Sequence, residues 1–120
     1  MLRMAHSLGA ISETIAADFL IRRGFRILAR NFRVNRKEID IIAQNANVVA
    51  FVEVKARGGH GYGHPCEAIT WKKRREISHV ANAWIARFGT PAQVYRFDAI
   101  AIIWQGSHPM IEHLEDAWRA

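Results

Sequence analysis

Apolar residues recur at three- and four-residue steps in two stretches of the chain. Elsewhere the pattern shortens to alternation or to unbroken apolar runs. Over residues 7–23, Ile11, Ile15 and Phe19, with Leu8 less regularly, mark one face of a helix, and Ala16, Ala17 and Leu20 fill it. Ser7 is placed to cap its start, Arg22 and Arg23 suit the negative end of its dipole, and Gly24 is the residue type that ends helices. A second stripe, Ile77, Val80, Ala81, Trp84, Ile85 and Phe88, predicts a helix over 70–88, with Thr70 as cap and Gly89 as stop. Strands are expected over 25–32, where Phe25, Ile27, Leu28 and Phe32 alternate with arginines, and over 37–43, 48–56 and 94–104. A short strand or extended tail follows at 110–114.

Asn45-Ala46-Asn47 separates two of these strands and reads as a turn, because Asn tolerates positive φ. If the turn centres on Ala46-Asn47, facing residues have numbers that sum to 93. Asn45 then faces Val48, Ile41 faces Val52, Asp40 faces Glu53, and Glu38 faces Lys55. Alternation puts Glu38, Asp40, Glu53 and Lys55 on one face, and Ile39, Ile41, Val52 and Val54 on the other, the core face.

At 120 residues and 50% hydrophobic, the chain is expected to form one domain with a real core. Its 17 Lys and Arg against 11 Asp and Glu give a net charge of +6, which favours an anionic partner, nucleic acid foremost. A single cysteine, Cys66, excludes an intramolecular disulfide and fits a reduced, cytoplasmic setting. Residues 1–10 lack the apolar run of a signal peptide, and no window approaches the ~18 apolar residues of a membrane span. No membrane partner is therefore expected.

Two carboxylates opposed across a hairpin repel each other. A divalent cation relieves this. Mg²⁺ (or Mn²⁺) commonly takes one or two carboxylates together with water and phosphate oxygens. Asp40 and Glu53 can supply the carboxylates and the Val54 carbonyl a further ligand. Such a cation stabilises charge on a phosphodiester, and Lys55 on the same face can orient water or offset developing charge. The competing structural reading is an ion-pair cluster, Glu38 with Lys55 and Asp40 with Arg33 or Arg30, but exposed pairs contribute only ~0–1 kcal/mol.

Basic residues surround this stretch. Arg30 and Arg33 form either a phosphate-facing stripe or an ordinary solvated face. Lys72, Lys73, Arg74 and Arg75 sit in the first turns of the second helix, where cations oppose the dipole and call for an external anion or solvent. Arg57 and Lys37 extend the nucleic-acid-binding set. Trp71 can stack on a base, although a packed aromatic is the commoner role. Residues 57–65 form a glycine-rich loop. His60, His64 and Cys66 lack a fourth zinc ligand, and nothing else marks Cys66 as a nucleophile.

Arg-Asn-Phe-Arg at 30–33, Glu-Ile-Asp at 38–40, Phe-Val-Glu-Val-Lys at 51–55, the glycine-rich loop, Pro-Cys-Glu-Ala at 65–68 and Lys72-Lys73 together resemble the YraN family. These are small bacterial proteins described as similar to archaeal Holliday-junction resolvases. An acid on one strand followed by Glu-x-Lys on the next is similar to the PD-(D/E)xK nuclease superfamily. The resemblance implies a restriction-endonuclease-like α/β fold, a mixed central sheet flanked by helices. It is built from a helix, a three-strand antiparallel unit, a second helix and a further strand. It also implies Asp40, Glu53 and Lys55 as catalytic residues, with Glu13 as an auxiliary acid, and structured or branched DNA as substrate. Resolvases of this fold commonly act as dimers, so a homodimer is a possible assembly, with Trp104, Trp118 and the C-terminal tail as candidate contacts. Lys37 stands where the family pattern usually has glycine. The rival expectation is a non-catalytic nucleic-acid-binding or partner-binding protein that keeps the fold.

Overall fold

The computed structural model describes residues 2–59 and 63–119, and of residues 2–8 the backbone alone. The elements run α1 (Leu2–Arg22), β1 (Arg26–Val34), β2 (Lys37–Asn45), β3 (Val48–Gly58), a 3-10 turn (Pro65–Ala68), α2 (Trp71–Phe88), β4 (Val94–Gln105) and β5 (His108–Trp118). The strands lie in sequence order in one sheet. Only β3 and β4 pair in parallel; the other neighbours are antiparallel. A parallel pair needs a crossover, and α2 supplies it. The mixed sheet with its two helices is compatible with a restriction-endonuclease-like fold.

Both sheet faces are buried, which is why β2 reads Ile-Ile-Ala rather than in strict alternation. Ile41, Ala43, Ala50, Val52, Ile100 and Ile102 pack with Ala16, Ala17 and Leu20 of α1. Their alternates Ile42, Val49, Phe51 and Ala99 pack with Ile77, Val80, Ala81 and Trp84 of α2. Phe51 is fully buried and meets Trp84, Tyr95 and Phe97 at centroid distances of 5.8, 6.0 and 5.9 Å.

Helix ends follow their cap residues where those exist. Thr70 Oγ1 accepts from Lys73 N at 3.1 Å. Gly89 closes α2, and any Cβ there would collide with the Tyr95 hydroxyl and the Ile85 carbonyl. Gly24, at φ +94°, ends α1. The expected cap at Ser7 is not one: α1 begins at Leu2 and runs through it, since Leu, Arg, Met and Ala are all good helix formers. The buried line of α1 is Ser12, Ala16 and Leu20, so Ile11 is rotated outward and half exposed. Leu8 lies outside the residues whose side chains are described.

Other departures have local causes. β1 carries a bulge between Ile27 and Ala29, which accounts for Leu28 breaking the alternation. In the β2–β3 turn the positive φ (53°) falls on Ala46 rather than on an Asn. β5 extends from His108 to Trp118, well beyond the expected 110–114. It is held by Trp118, which is buried and stacked on Phe97 at 5.5 Å, so Trp118 is no free contact residue. Trp71, for which packing was the commoner expectation, is 71% exposed.

The far end of the sheet is tied by Asp98 of β4, which is 0% exposed. Arg96 grips it bidentately at 2.9 and 3.1 Å, His113 Nε2 lies 2.8 Å from Oδ2, and the Asp116 amide donates to Oδ1 at 3.0 Å. Burial alone would push this carboxyl up; the His113, Asp116 and Arg96 bonds outweigh it and hold the carboxyl below its ordinary range. A depressed folded-state value contributes stability above the unfolded value, lost as pH falls through the folded one. Asp98→Ala leaves His113 and Arg96 without their partner. Urea unfolding is expected to show a loss of about 3–5 kcal/mol; a loss below ~1 kcal/mol would refute the structural role.

Candidate active site

β2 and β3 form the expected hairpin, with Asn45 opposite Val48 and Ile41 opposite Val52. The ladder then stops, so the expected pairings of Asp40 with Glu53 and of Glu38 with Lys55 do not form in the ladder. Asp40 Oδ2 accepts from Val54 N at 2.8 Å, taking the amide that a backbone carbonyl of β2 would otherwise have taken. On the other side of β2, Arg30 pairs with Ile41 and Phe32 with Ile39 in one unshifted register, while Asn31 between them takes φ 52° and does not pair with Asp40. These two irregularities turn the chain. Ile39 therefore packs with Ile42 and Phe51 in the α2-side cluster, not with Ile41 and Val52 as strict alternation predicts.

The strands thus separate where the acids lie. Glu53 is 2% exposed, and its carboxyl is within hydrogen-bonding reach of Asp40. Burial, the Glu53 carboxyl as hydrogen-bond partner and its charge push the Asp40 carboxyl up to about 8, against the Val54 amide, which lowers it. The pair therefore retains a proton to higher pH than a free aspartate would. Lys55 Nζ and, from the first turn of α2, Lys73 Nζ approach Glu53 Oε2 at 3.7 and 3.6 Å. Both distances exceed a hydrogen bond, so the buried carboxylate has attraction without close coordination. Lys73 was expected on a nucleic-acid surface; the structure brings it to the acid pair. Only the fold could show this, since the contact joins α2 to β3.

Glu13 approaches from α1. Asn31 Nδ2 donates to Glu13 Oε1 at 2.9 Å and Glu38 Oε1 at 3.4 Å, and Arg33 Nε donates to Glu38 Oε2 at 2.7 Å. Burial, opposed by the Asn31 bond, and the charges of Asp40 and Glu38 raise the Glu13 carboxyl above its ordinary range. Glu13, Arg30, Arg33 and Glu38 share a cleft of about 360 Å³. Arg30 Nη2 donates to Thr14 Oγ1 at 3.2 Å. Glu38 pairs with Arg33 and not with Lys55, and Lys55 pairs with Glu53, so the expected Glu38–Lys55 pair does not form. Asn31 was not anticipated, although an Asn within a run of arginines is a signal for positive φ.

Lys55 and Arg57 line a second cleft of about 380 Å³ with His64 and Glu67. Lys37 and Lys72 are exposed. Arg74 is bound into the fold: its Nε donates to Ile69 O at 3.1 Å and its guanidinium lies over Trp71 and Trp118. His64 Nε2 meets Glu112 at 3.0 Å, and its Nδ1 accepts from Cys66 N. Burial, then the Glu112 charge, pushes the Cys66 thiol up to about 11, the wrong direction for a nucleophile. His60, Gly61 and Tyr62 lie outside the described residues. Among the described residues no three His, Cys, Asp or Glu side chains converge as a metal cage. The donor set near Asp40 is two carboxylates, with a backbone oxygen beside them. The N–H and C=O of one strand residue point to the same neighbour, so the Val54 carbonyl shares the side of its amide. Two carboxylates and a carbonyl suit Mg²⁺ and not zinc.

Fold and site together define a small mixed-sheet α/β protein with a buried acid pair where two strands part. The chain belongs to UPF0102, an uncharacterised protein family whose model matches residues 12–102. It is 44% identical over 110 residues to a UPF0102 protein of Nocardia farcinica, covering 91% of this chain and 87% of that one. It is 39% identical over 115 residues to one of Alkaliphilus metalliredigens, covering 96% and 100%, and 48% identical over 96 residues to one of Chlorobaculum parvum, covering 80% and 74%.

The raised Asp40 carboxyl has a thermodynamic signature. Between its ordinary value of 3.8 and about 8 the folded state holds a proton that the unfolded state releases, so stability falls as pH rises through that window. Asp40→Asn keeps an acceptor for Val54 and removes the titration. In chelator, the wild type is expected to lose on the order of 2–3 kcal/mol relative to Asp40→Asn from the acid to the alkaline end of the window. Parallel pH profiles for the two proteins would refute the shared proton.

Proposed function

We propose that this protein is a divalent-cation-dependent endonuclease that hydrolyses phosphodiester bonds in structured or branched DNA. The observation that carries the reading is the Asp40–Glu53 pair, held together at a break in the sheet at a cost in stability, with Lys55 and Lys73 beside it. A structural role would not require this. Asp98 shows how the same fold satisfies a buried carboxylate that serves only structure.

Asp40, Glu53 and the Val54 carbonyl are the ligands proposed for Mg²⁺ or Mn²⁺. Such a cation supplies charge stabilisation at a phosphoryl centre and favours ionisation of the attacking water. Lys55 would orient that water or neutralise developing charge, and Lys73 lies equally near Glu53. Glu13, bonded by Asn31, would serve as the auxiliary acid on the α1 side. Exposed Lys37 and Lys72, with Arg30, Arg33 and Arg57, would contact the phosphate backbone. Lys37 follows a two-residue turn in which Asn35 and Arg36 have φ 51° and 69°, values that favour glycine at the second position. A strained arginine beside Lys37 favours a role for charge at this hairpin tip.

A second reading is a non-catalytic nucleic-acid-binding or partner-binding protein. It is favoured by the neutralisation Glu53 already receives from Lys55 and Lys73. The two separate on a panel of branched, nicked, flapped and linear DNA with Mg²⁺ or Mn²⁺. Cleavage is expected on a structured substrate, and Asp40→Asn and Glu53→Gln are each expected to reduce it at least ~100-fold while DNA binding persists. Cation-independent binding with no cleavage anywhere on the panel would sink the nuclease reading. Mn²⁺ calorimetry adds a check: identical traces for wild type and Asp40→Asn would remove the metal ligands.

A further inference from the structure

We propose that the outer face of α2 carries a stacking platform for an unpaired nucleobase, centred on Trp71. This rests on the nucleic-acid reading above and sharpens it, naming single-stranded or unpaired nucleotides as a feature the protein recognises beyond the acid pair.

A tryptophan that is 71% exposed at the first residue of a helix has given up most of its burial energy. It is nevertheless held in place. The Arg74 guanidinium lies 4.8 Å from its ring centroid. Arg74 is itself fixed by its bond to Ile69 O at 3.1 Å and by the Trp118 ring at 5.7 Å. The indole is thus braced by a cation whose own position is set by the core, while most of its surface meets solvent. An oriented, solvent-facing π surface is what a base requires for stacking.

The surroundings select the occupant. Trp71, Arg75, His79 and Asn82 follow one another at four- and three-residue steps along one face of α2, and with Arg119 they border a groove of about 310 Å³. Arg119 also pairs with Asp116 at 2.8 Å. An apolar peptide would find a single hydrophobic anchor among these residues. A neutral sugar would stack on the indole but offer the arginines no charge to pair with. A nucleotide uses both, base on indole and phosphate on guanidinium, with His79 and Asn82 able to hydrogen-bond base or ribose edges. Exposed Lys72 adds a cation one residue along.

Lys73 and Trp71 leave α2 on nearly opposite sides, so the platform and the acid pair are separated by roughly the 10–12 Å diameter of a helix. A strand passing over the start of α2 reaches both. Bases inside a duplex are already stacked and paired, so the platform acts on unpaired ones.

The test uses the full chain in chelator, where no cleavage can occur, with an oligothymidylate as one probe and a blunt duplex of equal length as the other. Trp84 and Trp118 are buried and Trp104 half-buried, so Trp71 dominates quenchable emission. Oligothymidylate is expected to quench it. Trp71→Ala should weaken oligothymidylate binding about tenfold or more, and duplex binding by less than about twofold. Trp71→Phe should keep most of the affinity. The salt slope should be unchanged in Trp71→Ala and shallower by about 0.7 in Arg75→Ala. Equal oligothymidylate binding by wild type and Trp71→Ala, or equal losses on both probes, would overturn the platform. Asp40-dependent cleavage with no Trp71 effect overturns the platform and leaves the nuclease standing. Trp71-dependent binding with no cleavage of any DNA supports the platform and overturns the nuclease.

Discussion

One hydrogen bond sets the character of this molecule, that from the Val54 amide to the Asp40 carboxylate. It substitutes a side chain for a backbone carbonyl in the ladder between β2 and β3. The hairpin cannot continue to pair beyond Ile41 and Val52, and its strands diverge. Everything at the acid pair follows. Asp40 stays half-buried at the fork, Glu53 sits within its reach, and the Val54 carbonyl is directed to the same side. An extra backbone pair there would close the fork and leave two opposed carboxylates with no room between them.

Two buried acid sites among the described residues illustrate opposite uses of the same group. Asp98 receives a bidentate arginine, a histidine and an amide, and its carboxyl is held below the ordinary range. Asp40 receives one amide and a second carboxyl, and is pushed up to about 8. Both are placed on strands and both are tied to neighbouring chain by backbone amides. The difference lies in the count of short, charge-matched donors. A fold able to surround Asp98 with close donors has left Asp40 and Glu53 short of them, with lysines at salt-bridge rather than hydrogen-bond distance. Strain of this kind concentrates where a ligand completes the set.

Much of this was legible in the order of residues. Two helical stripes, the strands and the hairpin register from Asn45–Val48 to Ile41–Val52 follow from local periodicity and turn chemistry, which depend on near neighbours. What local periodicity does not carry is either non-local or a break in regularity. Ile39 lies on the far face because Asp40 and Asn31 interrupt the pleat, and alternation carries no sign of an interruption. Lys73 reaches Glu53 through the packing of α2 on β3, which no periodicity within α2 encodes. Ser7 resembles a cap, but the residues before it favour helix and continue it. β5 was underestimated because its later half is held by Trp118 on Phe97 and by Asp116 on Asp98, both contacts across the sheet.

The basic start of α2 gains a physical explanation from these contacts. Cations at a helix N-terminus are unfavourable against the dipole, each by a few tenths of a kcal/mol upward. Lys73 recovers that cost from Glu53, and Arg74 from Ile69 O and two aromatic rings. Lys72 and Arg75 are exposed and have no such compensation among the contacts described, and beside them Trp71, covered on one side by Arg74, leaves most of its surface to solvent. The helix is therefore divided by face. The inward residues are neutralised by the fold, while the outward ones carry charge and aromatic surface that is mostly open to solvent. That division makes α2 more than a crossover connection: one end of it presents a lysine to the acid pair and an indole to solvent, about a helix diameter apart.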